Sequence, residues 1–116
     1  MLHNAYTIAI NKAVDSQRKG DIQSAKSYIS EAMTLSMDTP EPHNLLGILS
    51  EMKGDDNTAR RHYRAAYALD PTYKPSCRNL ERLVKFEWVP IQRNYDYGNE
   101  LKIANAKPDT QQNIKF

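Results

Sequence analysis

The chain has 116 residues, 40% hydrophobic and 26% charged, with a net charge of +2; this suits one packed domain and is too weak a charge to act as an electrostatic signature of nucleic-acid binding. Its one cysteine, Cys77, rules out an intrachain disulfide, so packing alone must hold the fold, as befits a reducing compartment. Polar residues interrupt every apolar stretch, including the N-terminal MLHNAYTIAINKAVDSQRKG, so neither a signal peptide nor a membrane helix is read and a cytoplasmic protein is the expectation.

In chain order, the first predicted helix covers about residues 3–18 and stops at Lys19-Gly20, where glycine can take positive φ. Asp21 then offers a capping oxygen to a second helix over about 22–36. A third, over about 41–53, tolerates Pro42 in its first turn, because the missing N–H would be unpaired there anyway. Leu45, Leu46, Leu49 and Met52 recur on it at helical spacing. Lys53-Gly54 ends this helix, and Asp55 or Asp56 caps a fourth over about 56–69, closed by Asp70-Pro71. The fifth, over about 74–87, carries Pro75 in its first turn and is broken by Val89-Pro90. Residues 88–116 read as a tail with one short helix over about 99–106, capped by Asn99.

Shifting the chain by about 34 residues places Gly20-Asp21 on Gly54-Asp55, Ala25 on Ala59, Ala32 on Ala66 and Leu35 on Leu69, while Leu46 and Leu49 fall on Leu80 and Leu83. The segment Glu41–Pro71 resembles a tetratricopeptide repeat through Leu46-Gly47, Gly54-Asp55, Ala59, Tyr63, Ala66 and Asp70-Pro71. Gly47, Ala59 and Ala66 suit a close helix crossing, and Tyr63 a gap between neighbouring repeats. His43 stands where the family carries a large aromatic, and the first copy has Lys12 where a leucine is usual. The resemblance spans residues 3–87 and implies an all-α helix-turn-helix solenoid. Repeats fall at about 6–39 and 40–73, with a half repeat at 74–87, making a repeat domain over 1–87 and a C-terminal extension over 88–116.

Little here points to catalysis. His3, His43 and His62 lack a second ligand at helical spacing, so no metal site is read, and four glycines build no phosphate loop. His43 and Cys77 share a repeat position, which could bring them together, but both suit the semi-buried slot of the family's aromatic better than a catalytic pair. Asp55-Asp56 reads as a turn and cap. No cofactor is expected, and the chain is not read as an enzyme.

In tetratricopeptide proteins the first helix of each repeat lines a concave groove. Carried onto this sequence, the groove stripe is Ile10 and Val14, then Asn44, Ile48, Glu51 and Met52, then Arg78, Arg82, Lys85 and Phe86. A separate core stripe is Leu46, Leu49, Leu80, Leu83 and Val84, which would leave the apolar groove members exposed for a partner. Some family members clamp a chaperone's C-terminal carboxylate, but Ile10, Val14, Leu45, Pro75 and Asn79 occupy the corresponding positions, so that ligand is disfavoured. The resemblance thus implies a protein-binding adaptor or scaffold holding a peptide or helix, with acidic groups facing Arg78 and Arg82. Trp88, Ile91, Tyr95, Tyr97, Leu101, Ile103, Ile114 and Phe116 give the tail more apolar groups than a solvated tail exposes. It is expected to cap the last helix or to fill the groove of its own or a second copy, so a self-associating structural protein is the first alternative. Arg60, Arg61 and Arg64, with Lys74, Arg78, Arg82 and Lys85, suggest a weak nucleic-acid binder as the second.

Overall fold

The computed structural model describes residues 2–85 and 93–98, with side chains from residue 5. Among these residues are five helices and no strand: α1 (Leu2–Arg18), α2 (Ile22–Leu35), α3 (Glu41–Met52), α4 (Asp56–Leu69) and α5 (Lys74–Val84). The five helices expected over residues 3–87 are present, the last ending at Val84 instead of residue 87. The segment 93–98 is irregular chain laid against the helices. The helix read over 99–106 lies outside the described residues.

The internal repeat extends to backbone geometry. Gly20 and Gly54 take φ of +80° and +83°. The amide of Asp21 donates to the Ser16 carbonyl and that of Asp55 to the Ser50 carbonyl, the six-to-one closure of a Schellman turn, at 2.9 and 2.8 Å. The Asp21 carboxylate then accepts from the Ser24 amide and the Asp55 carboxylate from the Thr58 amide. These bonds hold both carboxyls below the usual carboxylate range. The fold therefore favours the ionised caps, and their contribution fades as pH falls through the lowered pKa values. Asp21→Ala and Asp55→Ala should each lower the thermal midpoint, and the two losses should add, because the caps sit on separate helices. A double variant no less stable than either single would contradict independent caps.

α1 packs on α2 and α3 on α4, while α3 also receives α1 and α2, and α4 packs on α5. Small residues allow the close approaches. Ala13, Ala25, Ala32, Ala59 and Ala66 are fully buried. A methyl group at Gly47 would overlap the Tyr63 ring, so glycine is required where α3 crosses α4.

The core corrects one expectation. Ile10, Val14 and Ile48, assigned to an open stripe, are at most 3% exposed and belong to one continuous cluster with Ile29, Leu45, Leu49 and Tyr63. Val84, assigned to the core, is 59% exposed. The physical reason is that α3 has neighbours on most sides, so Pro42, Asn44, Leu45, Gly47, Ile48, Leu49 and Glu51 are all buried. Val84, by contrast, is the last residue of α5.

Candidate functional site

Asn44, Glu51, Arg78 and Arg82 of the stripe converge on residues 93–98. At its centre lies a pair of asparagine side chains. Asn44 on α3 and Asn79 on α5 are each at most 1% exposed. The Asn79 amide nitrogen donates to Asn44 Oδ1 and to the Asp96 carbonyl, both at 2.9 Å, and its oxygen accepts from the Asp96 amide at 2.9 Å. Asn44 Nδ2 donates to the same Asp96 carbonyl at 2.9 Å. Both main-chain groups of Asp96 are thus held by side-chain amides, and Asn79 Oδ1 accepts a second bond from Arg82 at 3.0 Å. Burying such polar side chains is tolerable only because these bonds satisfy them.

Beside this pair is a charge cluster. The Glu51 side chain, with no exposed surface, accepts two bonds from Arg82 at 2.7 and 2.8 Å, one from Arg93 at 2.9 Å and one from the Tyr63 hydroxyl. Arg93 also bridges to Asp56 at 2.9 and 3.1 Å. The Arg93 hydrogen bond lowers the Asp56 pKa, and the Glu51 bond raises that of Arg82. Burial, reinforced by Glu51, pushes the Tyr63 phenol well above its ordinary value.

The remaining contacts hold the segment by its side chains. Arg78 pairs with the Asp96 carboxylate at 3.0 Å. The guanidinium of Arg18 lies 4.9 Å from the Tyr97 ring centre and that of Arg82 5.3 Å from the Tyr95 centre, the range of cation–π attraction. Gly98 takes φ of +79°, and a Cβ there would stand 2.6 Å from the Tyr73 hydroxyl.

Of the stripe read from sequence, Asn44, Glu51, Arg78 and Arg82 therefore meet around one segment. Ile10, Val14 and Ile48 lie in the core, Met52 packs against it, Lys85 is exposed, and Phe86 is outside the described residues. Sequence reasoning missed Asn79, Arg18, Tyr73 and Asp56 as partners. It passed over Asn79 because its repeat counterpart is Leu45, not Asn44.

His43 and Cys77 are engaged separately. The His43 ring lies 5.8 Å from that of His62, while the Cys77 thiol faces the Tyr73 carbonyl at 3.7 Å. Burial lowers the pKa of both histidines, and for His62 the neighbouring His43 and Arg61 add to it. The fold thus favours neutral imidazoles, whereas the unfolded chain takes up protons from about pH 6.5 downward. Stability should fall as pH drops through that value and level off below the lowered folded pKa values. Urea midpoints at pH 8 and pH 5 should differ more for the wild type than for His43→Gln/His62→Gln; equal differences would contradict this. Among the described residues, no group of three His, Cys, Asp or Glu side chains could hold a metal ion, and no helix is long and apolar enough to cross a membrane.

No protein-family model, curated protein or solved structure matches the chain.

Proposed function

We propose that the chain is a non-catalytic, tetratricopeptide-like protein-binding module whose α1, α3 and α5 form the concave side of a short helical stack that grips an extended polypeptide by its main chain. The observation that carries this reading is the asparagine pair: two buried side-chain amides hold both the N–H and the C=O of one residue, Asp96, in an irregular segment. Such contacts accept any residue but proline at that position, as a peptide site requires. The arginines around them add selectivity for acidic and aromatic groups. The 34-residue repetition of turns and caps supports the repeat architecture.

The self-associating alternative has one observation in its favour: the segment in the site belongs to this chain, so a second copy carries the same ligand. The nucleic-acid alternative is weakened, because Arg78 and Arg82 are neutralised by Asp96 and Glu51.

Panning a random peptide library tests the reading, using full-length chain in which Tyr95→Ala/Asp96→Pro/Tyr97→Ala releases residues 93–98. Proline removes the amide that Asn79 accepts. Enriched peptides should lose binding when Asn79→Ala is added. A library that yields no Asn79-dependent peptide of any sequence overturns the proposal.

A further inference from the structure

Residues 93–98 present a graded set of requirements to the helices. Arg93 is demanded by two carboxylates, Glu51 and Asp56. Asn94 is exposed and unconstrained by burial. Tyr95 lies beneath the Arg82 guanidinium. Asp96 supplies the gripped N–H and C=O and a carboxylate for Arg78. Tyr97 meets Arg18 and stands edge-on to Tyr95 at 6.2 Å. Gly98 needs both its positive φ and its missing side chain. The hydrogen bonds and ion pairs joining this segment to the helices run through helix side chains, groups that can serve another chain equally well.

Resting on the reading of this surface as a main-chain-gripping site, we propose that residues 93–98 are a resident competitor, and that the partner they hold off carries an extended Arg-x-aromatic-acidic-aromatic-Gly segment. The site is complementary to that pattern at five of the six positions. The sequence connects the competitor to α5 through residues 85–92 alone, a tether short enough to outcompete a free peptide of equal intrinsic affinity. Partner binding then requires either a longer matching segment or an event that lifts the competitor out.

The test uses full-length chain and a labelled hexapeptide, acetyl-Arg-Asn-Tyr-Asp-Tyr-Gly-amide, followed by fluorescence anisotropy. The chain released by Tyr95→Ala/Asp96→Pro/Tyr97→Ala should bind it at least ~10-fold more tightly than the wild type, since such a tether sets an effective concentration on the order of millimolar. Binding should be lost when Asn79→Ala is added, or when the peptide ends in alanine or begins with glutamate. Gly98→Ala, which disturbs the segment through its positive φ and the Tyr73 contact while leaving every ion pair and asparagine bond in place, provides a second released chain should the triple variant fail to fold, and it should show the same gain. Equal affinity for wild-type and released chains would overturn the competitor, and indifference to the terminal glycine would overturn the motif. Dimerisation of the wild type that excludes the peptide would make a second copy the occupant, against a separate partner. Library panning that returns Asn79-dependent peptides of unrelated sequence would overturn this inference while leaving the peptide-binding reading intact; failure of both assays would remove both.

Discussion

Arg82→Met is expected to lower stability by about 3 kcal/mol, the low end for breaking a buried ion pair by removing one partner. The buried member is the carboxylate. Glu51 has no exposed side-chain surface, whereas Arg82 retains 25% and Arg93 42%. Without Arg82, the Glu51 charge stays buried with only Arg93 and the Tyr63 hydroxyl to stabilise it. The reverse change, Glu51→Gln, leaves two guanidinium groups that can still reach water, and an amide oxygen that can still accept from Tyr63. It should cost about 1–2 kcal/mol, nearer to the loss of a charged hydrogen bond. Urea unfolding monitored by circular dichroism checks the order; a smaller loss for Arg82→Met than for Glu51→Gln would show that Glu51 is not the group whose desolvation matters.

Gly47→Ala should also destabilise, by roughly 2 kcal/mol, the middle of the range for overpacking. In an exposed helix the same change would stabilise by about 1 kcal/mol, because alanine is the better helix former. The sign is set by the Tyr63 ring, which fills the space a methyl group would need and cannot retreat while fully buried and bonded to Glu51. Tyr63→Leu removes that obstacle at its own cost in lost packing. In the background of Tyr63→Leu, Gly47→Ala should become neutral or stabilising, a coupling read from a double-mutant cycle. Additive losses would place the strain elsewhere.

The helices were legible because their ends are written in residues with few other uses. Gly20-Asp21 and Gly54-Asp55 stop one helix and cap the next by local chemistry that needs no knowledge of the rest of the fold. The faces were harder. Treating each helix as having one buried stripe assigned Ile10, Val14 and Ile48 to an open surface, but α3 touches α1, α2 and α4 and is bridged to α5 by Asn44–Asn79 and Glu51–Arg82. A helix surrounded in this way buries polar and apolar residues together, and amphipathicity no longer reports which side faces a ligand. The apolar groups of the tail were expected to pack on the helices, and within its described residues, 93–98, Tyr95 and Tyr97 pack against the core. Its seat depends on Asn79 and Asp96, whose partnership is a contact between side chain and main chain that no residue spacing encodes.

The path of residues 93–98 has a consequence for how the molecule opens. Arg93 sits by Arg82 and Glu51, Asp96 by Asn79, and Gly98 by Tyr73 and Pro75, so the segment retraces α5 from its end to its beginning. α5 is the last helix among the described residues, and a helix at the end of a stack should fray first, exchanging its amide protons faster than the interior. Here the returning segment covers that flank, and α5 should exchange its amides with α3 in a single cooperative unit. Lifting the segment would free α5 to breathe alone.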